Sequence, residues 1–145
     1  MIRRPRAVAE TLIVVVSFLA VAVFSAGCTS ESHSLDGTRW RLTKGTLNSL
    51  NPAKFTITAQ FANGRISGSS GVNTYGGPYK LGTDGAFSVG PLASTEMAGP
   101  EPAMRAEAAY LTLLGQAKSC KLAAGELTLY DESGNASLIF VATHE

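Results

Sequence analysis

Phe55-Thr56-Ile57-Thr58-Ala59-Gln60-Phe61-Ala62-Asn63-Gly64-Arg65-Ile66-Ser67-Gly68-Ser69 decides how this chain folds. Phe55, Ile57, Ala59 and Phe61 alternate with Thr56, Thr58 and Gln60, a period of two that turns one face of a strand toward a core. Asn63-Gly64 tolerates the positive φ angles of a tight reversal. Arg65 to Ser69 then returns as a second strand with Ile66 as its apolar residue. Gly68 and Gly71 are poor strand formers and mark a bulge or a close backbone approach.

The same pattern extends in both directions. Upstream, Trp40 and Leu42 alternate with Arg39 and Arg41 after an Asp36-Gly37 turn, and 44–54 is expected to be a loop or a brief helical turn. Downstream, Tyr79 to Leu81 and Ala86 to Val89 flank an Asp84-Gly85 turn. Pro100 and Pro102 suit the start of a helix, whose apolar stripe is expected at Met104, Ala108, Leu111 and Leu114. Glu101 and Arg105 are spaced i,i+4, and Gly115 is the expected stop. Strands at 118–122 and 126–130, joined at Ala124-Gly125, and a last strand at 137–141 complete an α+β pattern. It is mainly antiparallel β-sheet, with six to eight strands and one or two helices.

The first 34 residues read differently. Arg3, Arg4 and Arg6 precede an apolar run from Leu12 to Phe24, and Ser25-Ala26-Gly27 leads into Cys28. Basic start, apolar core and small residues are the order of a secretory signal. A cysteine directly after the cut resembles the lipobox of bacterial lipoproteins, although Ser25 stands where that pattern usually has Leu. The resemblance implies lipidation of Cys28, a leader over 1–27, a tether over 28–34 and a domain over 35–145. The alternative is an uncleaved anchor, because no charged residue lies between Glu10 and Glu31 and about 20 uncharged residues span a bilayer as helix. In both cases the basic end stays cytoplasmic and the rest is extracytoplasmic, on the periplasmic or cell-surface side of the membrane.

Of the 12 Lys and Arg, three lie before Cys28, and of the 11 Asp and Glu only Glu10 does, so the exported part is nearly neutral. That balance gives no reason to expect nucleic acid. Lipidation of Cys28 would leave Cys120 without a partner, so stability must come from packing, and Cys120 is expected to be a buried small hydrophobe.

From Ser70 to Met97 the sequence carries Gly71, Asn73, Tyr75, Gly77 and Tyr79, then Gly90-Pro91-Leu92 and Thr95-Glu96-Met97-Ala98. With the Gly37-Thr38-x-Trp40 start and the final strands, this resembles the META/HslJ family of bacterial envelope proteins. Val72 and Gly99 stand where that family commonly has cysteines. The resemblance implies a small α+β domain, often secreted or lipid-anchored, linked to envelope or heat-shock stress. It implies no catalytic residues.

The residues themselves offer little chemistry. His33 and His144 lie in terminal segments, where a hydrolytic base would not be held, and no nucleophile elbow or phosphate loop occurs. Asp131, Glu132 and Asn135 lack the ligand alternation of a calcium loop and are expected to form a solvated turn. Glu96, Glu101 and Glu107 are expected to complement the helix dipole rather than act as acid and base. No cofactor or metal is expected. The candidate site is Asn73, Tyr75 and Tyr79 with Trp40. Either this segment packs the sheet and turns a corner, or its tyrosines line a surface for a small ligand or an envelope protein.

Overall fold

In the computed structural model, residues 34–144 are described. Leader and tether positions, Cys28 among them, lie outside these residues. Nine strands and one helix follow in the order β1 (Thr38–Gly45), β2 (Thr58–Ala62), β3 (Arg65–Ser69), β4 (Thr74–Leu81), β5 (Phe87–Val89), β6 (Ala93–Ser94), α1 (Glu101–Gln116), β7 (Ser119–Ala123), β8 (Glu126–Tyr130) and β9 (Ala136–Ala142). A single 3-10 turn, Pro52–Lys54, interrupts the long β1–β2 connection. The architecture is α+β and mainly antiparallel, one strand beyond the expected range because β6 is only two residues long.

Hydrogen-bonded neighbours run β5-β4-β3-β2-β1-β9-β8-β7, with β6 also on β4. The two ends of this sheet meet. Ala86 bridges Ser119, Phe87 N–H donates to the Lys118 carbonyl at 2.9 Å, and Cys120 N–H donates to that of Gly85 at 2.9 Å. The sheet is thereby rolled into a nearly closed barrel, which leaves few edge groups unpaired. Inside it lie Trp40, Leu42, Phe61, Ile66, Leu127 and Phe140, each no more than 3 % exposed.

Turn chemistry accounts for the hairpins. Asn63 and Gly64 both have positive φ, 52° and 71°, as do Ala124 and Gly125 at 50° and 76°. Two consecutive positive φ angles give the reversal whose twist matches that of the strands.

Two elements differ from expectation. β4 begins at Thr74, five residues before the expected start, and runs through Gly76, Gly77 and Pro78. These are poor strand formers, but a Cβ at Gly77 would lie 2.7 Å from the Pro91 carbonyl oxygen, so the crossing chain demands glycine there. β4 pairs with β3 from Thr74 to Pro78, and the missing N–H of Pro78 falls where β5 gives way to β6. The helix is also turned from its expected face. Ala106, Glu107, Tyr110 and Leu114 are its buried residues, Ala108 is exposed, and Gly115 lies inside α1. The buried stripe of α1 includes a carboxylate, Glu107, which an apolar periodicity does not mark. The exposed Glu101–Arg105 pair does form, at 3.9 Å, a surface contact of small energetic weight.

Candidate functional site

β4 connects two ends of the barrel that differ in chemistry. At its start the chain leaves β3 through Ser70, Gly71 (φ 123°) and Val72, and α1 lies across this loop. Glu107, 6 % exposed, takes four donors there. Oε2 accepts from Ser70 Oγ (2.7 Å), Asn73 N–H (2.7 Å) and Val72 N–H (3.2 Å), and Oε1 accepts from Asn73 Nδ2 (2.7 Å). Burial alone would raise this carboxyl, but the donors from Asn73, Ser70 and Val72 outweigh it and hold the group below the usual carboxylate range.

Asn73 links that carboxylate to the chain before the helix. Its Oδ1 accepts from Met97 N–H (2.7 Å) and Thr95 Oγ1 (2.8 Å), and Nδ2 also donates to the Met97 carbonyl at 3.2 Å. The amide orientation is therefore forced from both sides, since its oxygen must face Met97 N–H and its nitrogen must face the carboxylate. Behind it, Tyr75 OH lies 2.6 Å from Tyr110 OH and donates to the Thr58 carbonyl at 2.9 Å. Burial raises both phenols far above the ordinary tyrosine range, so both remain neutral. Gly68 makes room for the Thr58 carbonyl, because a Cβ there would sit 2.1 Å from that oxygen. Among the described residues no buried side-chain polar atom lacks a partner. This end of the barrel is chemically saturated.

Val72 and Gly99 meet beside the network. A Cβ on Gly99 would lie 3.3 Å from Val72 Cβ and 2.7 Å from its Cγ2. The branched valine fills the space a side chain at 99 would occupy.

At the far end of β4 the barrel is open. A cleft of about 700 Å³ lies between Leu35, Tyr79, Leu81, Cys120 and Leu122, bounded by Ser34, Gly64 and the 82–85 turn. Tyr79 packs edge-on to Phe61 at 4.9 Å and stacks with Phe87 at 6.2 Å, which gives the cleft an aromatic floor. Burial raises the Tyr79 phenol and the nearby Asp36 carboxylate raises it further. Cys120 is half-buried and its thiol is also raised by burial. Lys121 and Asp84 bring one charge of each sign to the lining, with Asp84 Oδ1 accepting from Ala86 N–H at 3.1 Å.

The four candidate residues separate between these regions. Asn73, Tyr75 and Trp40 turn inward, at 2 %, 4 % and 3 % exposure, and Trp40 donates its indole N–H to Thr38 Oγ1 at 2.7 Å. Tyr79 is the one that lines a cleft. Glu107, expected to serve the helix dipole, instead organises the closed end. Its signal was present as the spacing Glu107, Tyr110, Leu114, a carboxylate in step with the buried stripe. Asp131 spends its carboxylate on its own turn, accepting from Ser133 and Asn135 N–H at 2.9 Å each. No group of side chains suited to hold a metal occurs among the described residues, and none of their helices is long and apolar enough to cross a membrane.

A nearly closed antiparallel barrel with one helix over a carboxylate–asparagine clamp defines the class of domain. The sequence matches the META domain over residues 33–144, and the chain belongs to that family. It is similar to an NMR structure of a protein from Burkholderia xenovorans, with a TM-score of 0.62 and 29% identity over 77% of this chain and 85% of that one. A second NMR structure has a TM-score of 0.57 at 23% identity, covering 74% and 90%. A crystal structure of a DUF4847 family protein from Bacteroides vulgatus has a TM-score of 0.54 at 16% identity, covering 77% and 96%, and shares the fold. No curated protein matches the chain.

Proposed function

We propose that this META domain protein is a non-catalytic component of the bacterial envelope, tied to a membrane by a lipid on Cys28 and serving envelope maintenance or stress tolerance. The observation that carries the proposal is the run Arg3 to Cys28, a secretory pattern ending at a cysteine six residues before Ser34. The chemistry of the domain supports a non-catalytic role. Among the described residues Ser70 and Glu107 form the one buried hydroxyl–carboxylate contact that could be mistaken for an activated nucleophile, yet Ser70 is 0 % exposed and the donors around Glu107 hold it below the usual carboxylate range, which makes it a poor base. Mass spectrometry of membrane-extracted protein tests the anchor. The expected mature chain begins at Cys28 and carries diacylglycerol. A mature chain that begins elsewhere, or an unmodified Cys28, contradicts it. Turnover abolished by changing Ser70 or Glu107 while folding persists would contradict the non-catalytic role.

A second reading, a binding module, is favoured by the open cleft. Tyr79 contributes the aromatic surface there, while Asn73 and Tyr75 hold the strand that presents it.

A further inference from the structure

We infer that the open end of the barrel receives the acyl chain of a zwitterionic lysophospholipid drawn from the membrane to which the domain is tied. The inference rests on the proposed anchor for the source of the ligand, and on the cleft for its chemistry. At about 700 Å³ the space falls within the range of about 300–1,000 Å³ typical of small-molecule sites, and barrel mouths are a common place for them. Leu35, Leu81, Leu122 and the face of Tyr79 offer an apolar lining, to which a hydrocarbon chain is the matching partner. Lys121 and Asp84 are the charged groups among the lining residues, one of each sign, and the Asp36 carboxylate near Tyr79 adds negative charge beside them. A head carrying both a phosphate and an ammonium complements that pair, whereas a purely anionic head would face Asp84 unpaired.

Placement supplies the third argument. Thr38 pairs with Phe61 and Trp40 with Ala142, so the chain enters and leaves the barrel at the open end. Ser34 is among the residues lining the cleft, and five residues lie between it and Cys28, a contour of at most about 20 Å. With the proposed lipid on Cys28, that contour is the longest reach between Ser34 and the anchored residue. At the other end the buried side-chain polar atoms, those of Glu107 and Asn73 among them, all have partners within the protein.

Cys120 lies in the cleft wall and provides the test. Membrane fractions containing the full chain are labelled with a maleimide at mildly alkaline pH, and the Cys120 peptide is quantified by mass spectrometry. Added 16-carbon lysophosphatidylethanolamine at about ten times its Kd is expected to slow labelling roughly tenfold. Glycerophosphoethanolamine, the same head without the chain, is expected to leave it unchanged. Leu122→Glu is expected to remove the protection while the circular dichroism stays that of the parent. If that variant unfolds, a diazirine-bearing lysolipid replaces it as the readout. Photocrosslinks within 79–85 or 120–122 support the inference, and crosslinks confined to other segments overturn it. Equal labelling with and without lysolipid, equal protection by the bare head, or protection retained in folded Leu122→Glu also overturns it. The anchor is judged separately in the same digest: a maleimide-labelled Cys28 refutes the lipid on that residue whatever happens at Cys120.

Discussion

The two ends of the barrel are built from the same strand, yet one is filled with satisfied polar groups and the other is apolar and open. At the start of β4, Glu107 takes four donors and Asn73 joins it to Thr95 and Met97, so three segments distant in sequence are tied through one carboxylate. At the end of β4, Tyr79 and Leu81 stand beside a turn whose hydrogen bonds are local, from Gly82 N–H to the Ala86 carbonyl and from Gly85 N–H to that of Gly82. The contrast assigns rigidity to one end and availability to the other. The residues that carry the family motif, Asn73 and Tyr75, are structural because every polar atom they own is already paired.

Removing the carboxylate breaks the comparison hardest. Glu107→Ala strands two backbone N–H groups, the Ser70 hydroxyl and the Asn73 amide in a buried site, and about 3–5 kcal/mol of stability is expected to go. The urea midpoint measures it. Glu107→Gln keeps the shape but sets an NH2 group against Asn73 Nδ2, so it is expected to lose roughly half as much. Both losses falling within 0.5 kcal/mol of zero would remove Glu107 from the centre of the fold.

The opposite manipulation should strengthen the same end. Val72→Cys with Gly99→Cys places the two Cβ atoms near the 3.3 Å that a Cβ added at Gly99 would have from Val72 Cβ, slightly under the usual disulfide span of about 3.5–4.5 Å. Oxidation closes a loop of about 28 residues and is expected to add about 3 kcal/mol, reversed by dithiothreitol. A pair that stays reduced under air oxidation would contradict the adjacency.

Acid supplies a milder test with a defined sign. The folded Glu107 carboxyl titrates below its ordinary 4.5, so its contribution is complete above that value and is lost as pH falls through the lowered folded pKa. The exposed Asp131 is lowered as well, by the N–H of Asn135 first, and shares this sign. The informative quantity is therefore the difference between parent and Glu107→Gln, which is expected to shrink below pH 4.5. Gly68→Ala, whose Cβ would meet the Thr58 carbonyl oxygen at 2.1 Å, is expected to cost about 1–3 kcal/mol in the same assay. At the open end, Leu122→Glu is expected to change the midpoint by less than about 1 kcal/mol, because the side chain is only half-buried.

Local chemistry was legible in the sequence, and long-range chemistry was not. Asn63-Gly64 and Ala124-Gly125 announce their turns because positive φ is a property of the residues themselves. The alternation of Trp40 and Leu42 with two arginines gives the inward face of β1 without any knowledge of its partners. β4 was hidden because Gly76, Gly77 and Pro78 oppose strand formation locally, and only the approach of the Pro91 carbonyl explains them. Glu107 was hidden because its partners lie 34 to 37 residues away. The closure of β5 on β7 brings Ala86 to Ser119 across the whole helix, and no pattern within either strand encodes it. Of the candidate site, Tyr79 was legible as an amphipathic surface residue. The inward turn of Asn73, Tyr75 and Trp40 depends on partners that only the fold assembles.

Hydrogen exchange of the full membrane-bound chain, resolved by peptide, tests the division between the two ends most directly. Amides of 70–77 and 104–110 are expected to exchange slowly and to ignore added lysophosphatidylethanolamine, while 82–86 and 119–123 exchange faster and slow when it is present. Fast exchange at Val72 and Asn73, or a lysolipid response confined to that end, would contradict the account.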